Sequence, residues 1–253
     1  MFKTVLLVSA LVFSPALVLA ADAPAPVFTE AQKAEIENIV KDYLTNKRPE
    51  VLAEGIQNLQ KREQAEAESK TKEGVNKEKN RLFNDPASPV AGNPKGSVTV
   101  VEFYDYQCGY CKMSEEGIEK LLKEDKDVRF VYKNFPVLGP VSVEAAKAGL
   151  AAAKQGKFQA FHSLLMTKKE HLSSDLIYKV AKDAGLNVEK LKKDMTDPAL
   201  TDALNNDLKL GQDIGVRGTP MFVVSNGAVY PGALQYEQLK KAVSDARAEP
   251  KKP

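Results

Sequence analysis

The chain has 253 residues, 43% hydrophobic and 28% charged, enough apolar material for one well-buried domain and a smaller appendage. That composition excludes a disordered protein, a collagen-like chain and a small disulfide-stapled scaffold. Lys and Arg number 36 against 34 Asp and Glu, a formal charge of +2, and so even a balance gives no reason to expect a nucleic-acid partner.

Residues 1–20 have the pattern of a secretory signal peptide. Lys3 supplies the positive start, Val5 to Phe13 is a mostly apolar run, and Val18-Leu19-Ala20 precedes a cut expected after Ala20. A retained anchor would need roughly 17–25 apolar residues, and Ser14 and Pro15 interrupt the run. No cysteine stands at the new N-terminus to carry a lipid. Loss of these residues removes Lys3 and no acid, leaving 35 cations against 34 anions, or +1. The expected mature protein is exported, periplasmic and nearly neutral, with surface or outer-membrane association also open.

Residues 21–60 are expected to form a helical region. Thr29 and Gln32 make a capping box, followed by an apolar stripe of Ile36, Ile39, Val40, Tyr43 and Leu44. Pro49 can open a second helix carrying Val51, Leu52, Ile56 and Leu59. Two short helices bury little alone; the stripe packs either on the main domain or on another copy. Residues 61–88 read as a charged helical linker. Between Lys61 and Arg81 there are 12 charged residues in 21, and Val75 is the single large apolar one. Gly74 marks a weak point in such a helix, and Pro86, Pro89 and Pro94 end it.

Residues 89–253 alternate strand and helix, an α/β arrangement. Val98–Tyr104 is a near-continuous apolar run, as for a strand covered on both faces. A helix then starts at the cysteines and carries Met113, Ile118, Leu121 and Leu122, and Val128–Tyr132 is the next strand. Helical faces fill about 137–214. Met221–Val224, the Asn226-Gly227 turn and Ala228–Tyr230 make a hairpin, and a last helix runs from about Gln235 to Arg247.

The two cysteines, Cys108 and Cys111, stand three positions apart between a strand and a helix. A structural disulfide across so short a loop would restrict the unfolded chain little. A zinc site normally takes four ligands, and the two histidines, His162 and His171, are distant in sequence. A reversible dithiol fits better, because the free N–H groups at a helix start favour a thiolate at Cys108. Cys111, one turn in, could then attack a mixed disulfide on Cys108. Copper or zinc binding by the pair stays open. Glu102, midway along an apolar strand, is either a buried acid relaying the proton of Cys111 or a sheet-edge acid reaching water. Asp105 reads as a turn residue, Glu115 and Glu116 as a solvated helix face, Lys112 as an exposed cation near the thiols, and His162 as a packing or surface residue.

The stretch Val101-Glu102-Phe103-Tyr104-Asp105-Tyr106-Gln107-Cys108-Gly109-Tyr110-Cys111-Lys112, with Gly218-Thr219-Pro220 before an apolar strand, resembles the DsbA-like oxidoreductases. The resemblance implies a thioredoxin fold with an inserted helical domain. Ile36 to Leu44 and the proline-punctuated Asn84 to Pro94 resemble the N-terminal extension of ScsC and Com-type exported proteins, which implies a homodimer or homotrimer. Carried over by position, Cys108 is the attacking thiolate, Cys111 the resolving thiol, Glu102 the buried acid and Pro220 a cis-proline. Thr219, beside Gly109 and Tyr110, would meet an extended substrate segment.

The DsbA motif carries Pro-His between its cysteines, where this chain has Gly109-Tyr110. Without that histidine the pair should be less oxidising, and Gly-Tyr with Thr before the proline resembles the DsbC-type disulfide isomerases. The expected activity is therefore disulfide isomerisation with some oxidase activity. Its partners are cysteine-containing exported proteins and a membrane redox partner, with no cofactor and no resident metal. A dithiol oxidase, a Cu(I)-handling protein using the same cysteines, and a surface-associated structural protein are the alternatives.

Overall fold

A computed structural model describes residues 27–248; the signal peptide expected over residues 1–20 lies outside them. The chain divides into two units, residues 1–60 and 61–253.

In the first unit, α1 spans Glu30–Asp42. The Thr29 hydroxyl accepts from the Gln32 N–H at 3.3 Å and the Gln32 side chain accepts from the Thr29 N–H at 2.9 Å, the reciprocal cap expected from the sequence. A π-helical stretch, Tyr43–Lys47, follows, and α2, Glu50–Lys77, starts just after Pro49. None of the residues of α1 is buried, and Ile36, Ile39, Val40, Tyr43, Leu52, Ile56 and Leu59 are exposed.

The second unit contains the end of α2, then α3 (Lys79–Phe83), β1 (Val90–Gly92), β2 (Val98–Tyr104), α4 (Gly109–Glu124) and β3 (Val128–Asn134). Five helices follow, α5 (Pro140–Lys154), α6 (Phe158–Met166), α7 (Ser174–Asp183), α8 (Val188–Met195) and α9 (Pro198–Asp213). The chain then returns through β4 (Met221–Val224), β5 (Val229–Pro231) and α10 (Tyr236–Ala248). The sheet order is β1-β3-β2-β4-β5. Among the described strands only β2 and β3 run parallel, joined through α4; the other pairs are antiparallel. This is a thioredoxin fold of DsbA type, with α5–α9 inserted between the parallel core and the closing hairpin.

Side chains alternate along a strand, so β2 feeds two cores. Val98, Val100 and Tyr104 face the larger cluster, with Ile118 and Leu121 of α4 and much of α5–α8. Val101 and Phe103 face a smaller cluster with Val131, Phe135, Leu210 and Ile214. Both faces of β2 are covered, which explains its apolar run.

The smaller core corrects the reading of residues 61–88 as a spacer. Val75 and Leu82 are fully buried in it, so the second unit's packing begins well before residue 89. Gly74 is not a weak point here. A Cβ at that position would lie 2.9 Å from Ile214 Cα, and its absence lets α2 lie against the end of α9. The short strand β1 was not visible in the sequence, and Met113, expected on the apolar face of α4, is exposed.

Candidate active site

Cys108 ends the turn after β2 and caps α4 with extended backbone, φ −71° and ψ 113°. That turn is built by Asp105, whose carbonyl accepts the Cys108 N–H at 3.0 Å. The Asp105 carboxylate accepts from Gln107 N–H at 2.8 Å, Leu138 N–H at 3.0 Å and Ser142 Oγ at 2.6 Å. Asp105 is thus a turn residue, as the sequence suggested, and also a buried clamp between β2, the β3–α5 loop and α5.

Both cysteines are free thiols and buried, but their environments differ. The Cys108 thiol is pulled down to about 6, chiefly by hydrogen bonding from Cys111. Burial opposes this, while the Thr219 side chain and the backbone N–H groups of Cys111 and Tyr110 assist it. Against an ordinary thiol near ~8.5, a group at about 6 is roughly nine-tenths ionised at pH 7. Cys111 is pushed up, by burial first, then by its hydrogen bond to Cys108 and the charge of Glu102.

The second loop meets this sulfur directly. The Thr219–Pro220 bond is cis, and the protonated Cys108 Sγ donates to the Thr219 carbonyl at 3.1 Å. Thr219 is half-buried and Pro220 buried. Gly109 and Tyr110 are on the surface, Tyr110 being 65% exposed. A Cβ on Gly109 would meet nothing within 4 Å, so the glycine leaves the approach to Cys108 open rather than serving internal packing. An open groove beside it is lined by Gln107, Lys112, Met113, Glu119, Lys168 and His171.

Glu102 lies under the cysteines on a central strand, paired with Tyr132 on β3 and Phe222 on β4; a sheet-edge acid is thereby ruled out. It is fully buried, and neither carboxylate oxygen has a hydrogen-bond partner among the described residues. Burial first, then the charges of Glu115 and Cys108, raise it well above the ordinary carboxylate range. A carboxyl in that state holds a proton more tightly than an ordinary acid and is placed to exchange it with a neighbouring thiol.

Two sequence readings change here. Glu115, expected on a solvated face, is only 1% exposed; its Oε2 lies 3.3 Å from His162 Nε2 and its Oε1 accepts from Ser163 Oγ at 3.0 Å. Burial pushes Glu115 up, but the His162 imidazole and the Ser163 hydroxyl outweigh it, leaving the carboxyl below its usual range. His162 is a buried packing residue, one of the two roles expected for it, with Nδ1 3.1 Å from Tyr106 Oη. Lys112 is half-buried rather than exposed, and donates to the Lys168 carbonyl at 2.7 Å. Spacing held a signal for Glu115: it lies four residues after Cys111 and three before Ile118, on the buried stripe. His162 likewise sits four after Phe158 and three before Leu165.

Among the described residues no group of three or more His, Cys, Asp or Glu is arranged to hold a metal. No described helix is long and apolar enough to cross a membrane.

Residues 99–244 match the DSBA-like thioredoxin domain and residues 32–66 match the N-terminal domain of the copper resistance protein ScsC. A thioredoxin-like oxidoreductase from Silicibacter pomeroyi DSS-3 is 43% identical, with 68% of this chain and 98% of that chain covered and a TM-score of 0.65. Proteus mirabilis ScsC in a transitional conformation is 31% identical over 87% of this chain and 99% of that chain, with a TM-score of 0.64. The probable disulfide bond formation protein D of Bacillus cereus is 28% identical, covering 65% of this chain and 81% of the relative. The chain spans about a quarter of the length of the first curated relatives it matches, such as the Na(+)/H(+) antiporter NhaA 3 of Salinispora tropica, 32% identical over 161 residues, with 63% of this chain and 24% of the relative covered. With Cys108, Cys111 and the cis-proline loop brought together and 146 residues matched, the chain belongs to the DSBA-like thioredoxin family and carries an ScsC-type N-terminal domain.

Proposed function

We propose that the protein is a periplasmic thiol:disulfide interchange enzyme, chiefly a disulfide isomerase with some oxidase activity, acting on cysteines of exported proteins. The observation that carries this reading is the division between the two thiols. Cys108 is acidic and set against the Thr219 carbonyl, while Cys111 is protonated and buried behind it.

The Cys108 thiolate attacks one sulfur of a substrate disulfide. A Cys108–substrate disulfide forms, and the other substrate sulfur leaves as a thiolate. In isomerisation a different substrate thiolate then attacks the mixed disulfide, forming a new substrate bond and returning Cys108 as thiolate. If rearrangement stalls, Cys111 gives its proton to Glu102 and attacks Cys108. The substrate sulfur is released, and a membrane redox partner resets the enzyme disulfide. Thr219 offers its backbone to an extended substrate segment beside the attacked bond.

The Gly109-Tyr110 dipeptide and Thr219 before Pro220 support isomerisation, by likeness to isomerase motifs. The signal-like residues 1–20 support export. The uncovered apolar side chains of α1 and α2, with the ScsC-type match over residues 32–66, support a homodimer or homotrimer.

The test is reactivation of ribonuclease with scrambled disulfides. Reactivation that disappears in Cys108→Ser is expected. Oxidation of reduced ribonuclease without any rescue of the scrambled form would instead assign the dithiol-oxidase direction.

A further inference from the structure

We propose that Glu115 is a positioning residue for the cysteine pair: held by His162 and Ser163 on the buried face of α4, its carboxylate governs when Glu102 can accept the proton of Cys111. The inference rests on reading Cys108 and Cys111 as an exchanging dithiol.

Cys111 and Glu115 are one helical turn apart and share the face of α4 that carries Ile118. That face packs over the even-numbered side chains of β2, the row containing Val98, Val100, Glu102 and Tyr104. Tyr132, the register partner of Glu102 on β3, lies with its ring 4.4 Å from that of His162 on α6. His162 is in turn 3.3 Å from Glu115. The circuit Glu102–Tyr132–His162–Glu115 thus closes through β2, β3, α6 and α4, all of it shielded from solvent.

Glu102 is faced by Cys108, Cys111 and Glu115 from α4 and its preceding turn, by Tyr132 from β3 and by uncharged Phe222 from β4, with Tyr104 on its own strand. Glu115 is faced by His162 and Ser163 from α6, by Tyr106 from the turn after β2 and by Tyr132. Within this set His162 is the group able to balance Glu115. Its approach to 3.3 Å, with the Ser163 hydroxyl, holds the Glu115 carboxyl below its usual range, and the negative charge this leaves on α4 in turn strengthens the hold of Glu102 on a proton.

The step concerned is resolution. The Cys111 thiol passes its proton to the Glu102 carboxylate, and the thiolate attacks Cys108. The Cys108–Cys111 bond forms as the Cys108–substrate bond breaks, and the departing thiolate takes a proton from water. An ionised Glu115 makes Glu102 the stronger acceptor, but keeps it protonated, and so unavailable, up to a higher pH. Without that charge the rate should rise with pH from a lower midpoint.

The experiment loads Cys108 with glutathione and follows glutathione release by Cys111 from pH 5 to 9. In Glu115→Gln the midpoint should move down by about one unit, as for removal of one nearby like charge. His162→Phe, which leaves Glu115 to take up a proton, should move it the same way, and the double variant no further than Glu115→Gln alone. A slower reaction with an unmoved midpoint, or a midpoint moved upward in Glu115→Gln, overturns the proposal. If the variants do not fold, carboxyl-carbon NMR of the wild-type protein at pH 7 decides. Glu115 ionised with Glu102 protonated supports the proposal, and a protonated Glu115 overturns it. Should the wild-type protein release no glutathione at any pH, the exchange reading itself fails; should it release glutathione normally, a null result in the variants removes only the role of Glu115.

Discussion

Cys108 and Cys111 share a motif and a helix but are held in opposite protonation states. The largest influence lowering Cys108 is the hydrogen bond from Cys111, so Cys111→Ala should raise the Cys108 midpoint from about 6 toward an ordinary ~8.5, measured by thiolate absorbance. The same coupling predicts how stability follows pH. A thiol depressed in the fold stabilises the reduced protein fully above its unfolded value near ~8.5 and loses that contribution as pH falls through the folded value. The oxidised protein lacks the thiolate. Denaturant midpoints of the two forms should therefore shift relative to each other between pH 8.5 and about 6, with the reduced form losing ground as pH falls. At this scale the placement of Cys108 at the start of a helix was legible from residue type and spacing, as was the strand after Thr219-Pro220. Glu115 was misread although its spacing places it on the buried stripe, since a charged residue amid a polar helix looks solvated until its partner His162, 47 positions away, is placed beside it.

The elements were legible wherever an apolar period ran long enough. β2 announced itself because both of its faces are covered, and α1 through its capping box. β1 has three residues and follows the proline-rich stretch, so no periodicity could accumulate. The end of α2 was misread for a related reason: one Val75 among many charges looks like a linker, although its burial depends on α9, more than 120 residues later. Its glycines give a paired prediction. Gly→Ala in a helix is ordinarily favourable by about 0.5–1 kcal/mol. Gly55→Ala should follow that rule, with open space around its Cβ. Gly74→Ala should reverse it and destabilise by about 1–3 kcal/mol, because the added carbon meets the Ile214 backbone at 2.9 Å. Urea unfolding of the two variants checks both signs.

At the scale of the whole molecule the chain combines a catalytic unit that buries its own core with a helical unit whose apolar side chains stay exposed. Truncation separates their roles. If the proposed oligomeric isomerase reading holds, a chain starting at Lys61 should keep its fold and its Cys108 reactivity while losing both oligomerisation and reactivation of scrambled ribonuclease, as judged by light scattering and refolding assays. A chain starting at residue 89 loses Val75 and Leu82 from the smaller core and should unfold at lower denaturant. The division of labour between the two thiols underlies all of these roles, and one measurement addresses it directly: alkylation of the reduced protein from pH 4 to 9, with each cysteine quantified separately by mass spectrometry. That division of labour predicts that Cys108 reacts with a midpoint at about 6 while Cys111 stays unmodified throughout. Two cysteines reacting together, with a shared midpoint above pH 8, would contradict it.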